Sequence, residues 1–564
     1  MSILYLKNSL FYFKRCDKTI FVIGIIAFAI YLPGFWWGVP YASNSSTFNG
    51  WNIDGLSATG PLAEMYNMFI EAKPDWHLWY PPFHHIILIL CYTPYLFYLM
   101  LSGGLSNPSG VYPFGLVDPI NSLATLAIIG RLVTIIMASS LVVTAYVTAK
   151  IVWSRTTGIL AAVFVMMSTP MFYYARTGNV DLPALLWIAL TAFVIAGGLK
   201  RGFTIRRGIW LGIFSAFALG TKDQTYAPLL PALAIATIYH YRSQTTEQKS
   251  NGSNVWLTPL VAIISGGATY AFTSGLILSP TRFFRHFKLA LNLGSDAFNI
   301  EFLNLKKPKT IEGYSELFMD IFGGLIDSLG PVILIVGIAG LVLYWRSDKF
   351  GKVLFVMIIG HLLLFLVPIR HMMFRYSMLP AFALAFFAAR LLALQLHATK
   401  VRRITAFIVL VVGVGWLGSR GVDMTYQMIY DARYEAGKWL MRNTQKGDKV
   451  VYIGSTAQLP HIPVGVILKQ IPVEMSFVKF LEQQTPEFVL IIPDWTSDVG
   501  KEYSQFLSES SYKSLNNGVI GYRRMALFQT KPLWKKFPMD LHSVINPKIQ
   551  IYRRIGIYGK PRKR

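Results

Sequence analysis

Charged side chains that interrupt long apolar runs are the residues best placed to do chemistry in this chain, because they are scarce. Of 564 residues only 28 are Asp or Glu. Asp54 stands in WNIDGLSATGPLAEMY, just before an amphipathic helical pattern, where it reads as a general base or as a helix cap. Asp181 follows YYARTGNV and opens the apolar run DLPALLWIAL. It too reads as a cap, with Pro183 in the first turn, or as a second site carboxylate that assists a base or holds a divalent metal ion. Arg176 is a candidate partner for Asp181 or a binder of an anionic substrate. Lys222 and Asp223 lie in GTKDQTYAPLLP, at a turn between two apolar runs. There Lys222 either snorkels to the interface or faces a phosphate.

Arg370, His371, Arg375 and Tyr376 crowd into PIRHMMFRYSMLP, and guanidinium forks suit a phosphate. At 80–85 the motif YPPFHH offers His84 and His85. Neighbours on a helix point about 100° apart, so they are poor joint metal ligands, and His84 is read as a substrate contact. Arg131, inside an apolar run, is read as structural. Glu64, Glu71 and Asp75 read as solvated, with one of them available to complete a metal site. Only two cysteines exist, Cys16 and Cys91, which excludes a disulfide framework and a Cys-ligated zinc site.

These residues are set in a chain that is 53% hydrophobic and 14% charged, against about 25% charged in soluble domains. Runs such as 21–37 and 261–278 approach the roughly 20 apolar residues that span a bilayer core. Too many follow one another for a single signal peptide. The net charge of +25 gathers in short loops and in the tail, where anionic headgroups and the positive-inside rule put it; nucleic acid is not the expected partner. Basic clusters at 7–18, 150–155, 200–207, 346–352 and 400–403 are each expected to be cytoplasmic.

Parity then requires that one of the runs 20–37, 83–104 and 121–149 fails to cross. The run 83–104, interrupted by Pro94, is the expected one. The result is a polytopic α-helical membrane protein with about eleven crossings and juxtamembrane helices. Asp54, Asp181, Lys222 and Arg370–Arg375 all fall on its extracytoplasmic side, and the segment 279–318 suits helices lying in the interface. After residue 418 the apolar periodicity stops. A helical stretch at 430–442 and β-like runs at 450–454, 488–493 and 519–523 indicate a small α/β domain on the outer face. The expected division is therefore a transmembrane domain, 1–420, and a soluble extracytoplasmic domain, 421–564.

The ordered set of features resembles the GT-C superfamily of membrane glycosyltransferases, in the branch of protein O-mannosyltransferases, the lipid A aminoarabinose transferase and the rhizobial Rgt-type enzymes. The resemblance is carried by Asp54, YPPFHH, the stretch 131–183, LGTKDQTYAPLLP, RHMMFRYSMLPAFALAFFAA and DARYEAGKWLMRNTQKGDKVVY, and covers most of 20–455. It implies a GT-C fold and transfer of a sugar, with inversion, from a polyprenyl-phosphate (dolichyl-phosphate-type) donor to a lipid, glycan or protein acceptor, in the plasma membrane. It assigns the base role to Asp54, an assisting or metal-binding role to Asp181, and carrier-phosphate binding to Lys222 and the Arg370/Arg375 cluster. Many relatives carry an acidic pair where this chain has Asp54 followed by Gly55, and the superfamily includes metal-dependent and metal-independent members, so the cofactor stays open. The alternative is a transporter or flippase of lipid-linked sugars. Such proteins often show related halves, and none is visible here.

Overall fold

A computed structural model of the chain describes residues 17–39, 41–44, 47–49, 51, 58–68, 80–243, 256–290, 306–453, 458–472, 475–492, 507–534 and 544–555. Asp54 and Cys16 lie outside them. The chain is a polytopic helical membrane protein with a small sheet near its C-terminus. It divides into two compact units, one holding 1–32, 61–91 and 131–421, the other 33–60, 92–130 and 422–564.

In chain order the elements of the helical part are α1 Lys18–Tyr31, strands β1 Tyr41–Asn44 and β2 Thr47–Asn49, α2 Thr59–Tyr66, α3 Phe83–Leu101 and α4 Pro119–Val152. Then come α5 Arg155–Met167, α6 Thr169–Thr177, α7 Asp181–Arg201, α8 Ile205–Thr221, α9 Tyr226–Ser243, α10 Leu257–Thr273 and α11 Pro280–Ala290. The last are α12 Ile311–Tyr344, α13 Lys349–Ile369, α14 Met378–Leu396 and α15 Lys400–Ile429. Among the described residues seven helices, α3 among them, are long and apolar enough to cross a bilayer by length and composition, and the pair α5–α6, bent by 63°, makes up to eight.

Contacts within the first unit sort its helix ends into two groups. At one end Asp17 accepts from Tyr146 Oη and Lys150 Nζ, both at 2.5 Å, Arg155 reaches Thr19 at 2.8 Å, Trp153 bonds Asp348, and Thr156 meets His397 at 3.2 Å. Lys150 and Tyr146 hold the Asp17 carboxyl well below the usual carboxylate range. At the other end lie Asp181 with Lys222, Asp223 with His286, and Arg370 with Lys307. Three of the basic clusters therefore share one end, while Asp181, Lys222, Asp223 and Arg370 lie at the opposite end.

This two-ended order bears on α3. Pro82 meets Gly275, and Phe83 stacks on Phe217 at 4.4 Å, near the Lys222 end, whereas α4 finishes at the Lys150 end. If α4 crosses once, α3 adds no net crossing, although its helix runs unbroken through Pro94. The expected interruption at Pro94 is absent, because one lost backbone bond can be tolerated inside a longer apolar helix. Conversely, the expected single span at 157–172 is two helices that break at Ser168, and α12 turns sharply at Gly330 (φ 67°), before Pro331. A Cβ at Gly330 would stand 2.6 Å from Trp416, so a side chain is excluded there on two counts.

Helices α8 and α10 are held by a seam of small residues. Added Cβ atoms at Gly208, Gly212 and Gly220 would fall within 2.7 Å of Thr258, Ala262 and Thr273 respectively. In apolar surroundings such close backbone approach is a main source of helix–helix attraction. Helix α11 (PTRFFRHFKLA) is the amphipathic element expected in 279–318.

The second unit contains α16 Ala432–Asn443, β3 Lys449–Ile453, β4 Ile467–Gln470, α17 Phe477–Gln484, β5 Phe488–Ile491, α18 Glu509–Asn516, β6 Tyr522–Phe528 and β7 Ile549–Arg554. The sheet order is β4-β3-β5-β7-β6, with β3 parallel to both neighbours and β7 antiparallel to β5 and β6. Its central strands are buried on both faces between two apolar clusters. Beside it Arg433, fully buried, pairs with Asp431 at 2.7 Å, donates to Val544 O at 2.8 Å and lies 4.1 Å from the Trp51 ring centroid. Trp51 in turn stacks on His461 at 5.1 Å, and Trp37 Nε1 donates to Asp431 at 2.9 Å.

Burial, with Arg433 nearby, lowers the His461 imidazole from 6.5 to about 4. The unfolded chain therefore takes up this proton near pH 6.5 and the folded chain only near pH 4. Stability is lost as pH falls through that window, by about 3 kcal/mol in total. Chemical unfolding of the full chain at pH 7 and pH 4.5, followed by tryptophan fluorescence, checks this: His461→Phe should remove most of the difference.

Candidate functional site

The site is built at the end of the bundle away from the basic loops. Helix α6 ends at Gly178, which adopts the left-handed conformation. Asn179 Oδ1 then accepts from Leu182 N at 3.1 Å and caps α7. Asp181 is thereby relieved of the capping role that its place in the sequence suggests. Its Oδ1 forms an ion pair with Lys222 Nζ, and both side chains are more than nine-tenths buried. Its Oδ2 is buried with no hydrogen-bond partner among the described residues. The partner is Lys222 and not Arg176.

Lys222 ends α8 in extended backbone, and its N–H donates to Ala218 O at 2.9 Å. Its ammonium lies 5.5 Å from the Tyr376 ring centroid and 5.9 Å from that of Tyr80. Aromatic faces attract a cation and exclude water around it. The chain then makes a 3₁₀ turn, Asp223–Thr225, in which Asp223 meets His286 Nε2 at 2.8 Å.

The opposite wall comes from α13 and the turn that follows it. His361 Nε2 donates to Tyr376 O at 3.0 Å, just where α13 widens into a π turn at Leu362–Leu366. A 3₁₀ turn, Phe374–Ser377, then brings Arg375 and Tyr376 inward. The Arg375 guanidinium lies 5.5 Å from the Tyr376 ring centroid. Together Asp181, Lys222, Thr225, His361, Arg375 and Tyr376 line a cavity of about 50 Å³. A water's share of liquid volume is about 30 Å³, so this space admits one or two waters and not a sugar ring. What it can do chemically is present two cations to an anionic group at its mouth.

Four of the expected site residues, Asp181, Lys222, Arg375 and Tyr376, are therefore brought together, and the other described ones, His84, Arg176, Arg370 and His371, are not among the cavity's lining. Arg176 is buried elsewhere, donating to Tyr31 O at 2.9 Å and Ile30 O at 2.8 Å, so its guanidinium serves the end of α1. Arg370 has φ 56° and exchanges bonds with Lys307: Nη1 donates to Lys307 O at 2.6 Å, and its carbonyl accepts from Lys307 N at 2.8 Å. It anchors the chain before α12. His371 is half-buried beside it. His84 and His85 are buried in the first turn of α3, while Tyr80 of the same motif reaches Lys222. Asp54 lies outside the described residues.

His361, Thr225 and Asn179 were not singled out by sequence. A lone histidine inside the apolar run GHLLLFLVP was a usable signal, since an ionisable group within a span is rarely idle. Among the described residues no three His, Cys, Asp or Glu side chains converge. Among the described residues Asp181 is the one carboxylate that lines the cavity, and one of its oxygens is engaged by Lys222.

Residues 125–265 match the family model described as dolichyl-phosphate-mannose-protein mannosyltransferase. No curated protein matches the chain. Among solved structures, ArnT from Cupriavidus metallidurans bound to undecaprenyl phosphate is 10% identical, covering 97% of this chain and 100% of that one, with a TM-score of 0.45. The apo oligosaccharyltransferase of Archaeoglobus fulgidus is 12% identical over 87% of this chain and 71% of that one, with a TM-score of 0.48. Arabinofuranosyltransferase AftD from Mycobacteria is 13% identical over 96% and 42%, with a TM-score of 0.42. All three scores lie below 0.5, too low to carry an argument. The matched stretch 125–265 holds Asp181 and Lys222 of the cavity.

Proposed function

We propose that the protein moves a sugar from a polyprenyl-phosphate donor to an acceptor on the extracytoplasmic face, with inversion at the anomeric carbon. The observation that carries this reading is the buried Lys222–Asp181 pair with Arg375 at the end of the bundle opposite the basic loops. Under the positive-inside rule that end is extracytoplasmic. The matched family's description, a transferase using dolichyl-phosphate mannose, supports the donor class.

In this scheme the acceptor hydroxyl loses its proton to a carboxylate, and its oxygen attacks the anomeric carbon. The bond from that carbon to the phosphate oxygen breaks from the opposite face, as in inverting glycosidases with an acceptor replacing water. Polyprenyl phosphate departs as an anion, and Lys222 and Arg375 stabilise its developing charge. Asp181 holds Lys222 in place. The base role belongs to Asp54, on the resemblance set out above.

Three measurements test the scheme on purified protein supplied with polyprenyl-phosphate sugars and candidate acceptors. Arg375→Gln should raise the KM for donor about tenfold or more, as loss of one charge-assisted contact predicts, with the fold intact. Asp54→Asn should lower kcat by about 10²–10⁴ while donor binding persists. An unchanged rate in that variant would remove Asp54 from the mechanism, and donor transport without any transfer would overturn the whole reading. Lys222→Met alone leaves a buried carboxylate unpaired, at a cost of about 3–5 kcal/mol. The double variant Lys222→Met with Asp181→Asn should recover most of that stability in thermal unfolding and none of the activity.

A further inference from the structure

A second cavity, of about 600 Å³, lies between α8, α9 and α10. Helices α8 and α10 are closed against each other by the glycine seam, whereas α9 packs on α13 and diverges from α10. The wedge left between them runs along α10 from Thr258 to Tyr270, about 18 Å at the helical rise per residue. That is longer than one leaflet of hydrocarbon, about half of a 30 Å core.

The walls are apolar in effect. Ser215 Oγ donates to Leu211 O at 2.7 Å and Thr237 Oγ1 to Leu233 O at 2.9 Å, so both hydroxyls are spent on their own helices. Such a lining suits hydrocarbon and offers little to a sugar.

The mouth is cationic. Lys200, Arg201, Arg206 and Arg242 are exposed there, within a few residues of the lining residues Phe203 and His240. Arg207 Nη1 donates to Gly202 O at 2.5 Å and shapes the turn. Tyr241 and Trp256, 5.9 Å apart, add the aromatic pair typical of a membrane interface. Among the described residues, α8, α9, α10 and the α7–α8 turn carry no acidic side chain at this end.

We infer that this wedge is a binding site for one anionic glycerophospholipid, with an acyl chain between α8, α9 and α10 and the headgroup phosphate among Arg201, Arg206 and Arg242. The occupant is a bilayer phospholipid and not the sugar carrier: on the proposed function, a donor held by its phosphate at Lys222 has its headgroup at the opposite end of these helices. The inference itself needs only the cavity and its charges.

The full-length protein, purified in detergent, can be incubated with dioleoyl phosphatidylglycerol or dioleoyl phosphatidylcholine and read by native mass spectrometry. One phosphatidylglycerol should be retained, about tenfold or more tighter than phosphatidylcholine, given the attraction of each Lys or Arg for an anionic surface. A Cβ at Gly267 meets nothing within 4 Å, so Gly267→Phe should fill the cavity without disturbing the seam. It should abolish retention, and Ile263→Trp, on the same lining, should do likewise. Arg201→Gln with Arg206→Gln and Arg242→Gln should leave the two lipids bound equally. Equal retention by the unaltered protein, or undiminished retention in both filled variants, would overturn the site. Displacement of phosphatidylglycerol by polyprenyl phosphate, one for one, would reassign it to the carrier.

Discussion

A lysine and an aspartate buried together at the edge of a helical bundle must be held to each other, because neither charge is tolerated alone there. Lys222 closes α8 and Asp181 opens α7, so their pairing fixes the level of one helix against the next. The same requirement shapes the neighbourhood. Asn179 takes over capping so that the carboxylate is available, and aromatic rings of Tyr80 and Tyr376 flank the ammonium. A π turn in α13 sets His361 against the backbone of Tyr376. The cavity is small because these obligations are met by protein groups packed close together.

The two ends of the bundle divide the work. At the basic end, short polar contacts such as Asp17 with Lys150 tie loops together. At the other end, cations are drawn inward and partly buried. An anionic ligand approaching that end meets positive charge whose desolvation has already been met by folding, and this preorganisation is what electrostatic stabilisation of a leaving group requires.

Much of this was legible in the sequence. Apolar runs announce nearly every long helix, and scarce charges such as Asp181 and Lys222 stand out because hydrocarbon penalises them. Strands β3 and β5 announce themselves through β-branched and aromatic runs, whereas β6 (YRRMALF) overlaps the expected run 519–523 only at its last two residues. Other features depend on contacts far apart in the chain. The sequence around Asp181 suits a cap as well as a site, and only the bond from Leu182 to Asn179 decides between them. Arg176 looks like a ligand-binding arginine until Ile30 and Tyr31 are brought beneath it. Arg370 and Arg375 are near neighbours in sequence, yet a left-handed residue and a 3₁₀ turn send one to Lys307 and the other to the cavity. Strand β4 (ILKQ) is half polar because it lies at a sheet edge, and its identity comes from pairing with β3.

The grip of Arg176 on α1 bears on how the protein is made. Helix α1 has only 14 residues, short of the roughly 20 that span a bilayer unaided, and its last carbonyls need partners. Those partners arrive with Arg176, 145 residues after Tyr31. At 5–20 residues per second, the ribosome needs on the order of ten seconds to supply them. Throughout that interval those carbonyls lack Arg176, and the final seating of α1 waits on the synthesis of α6.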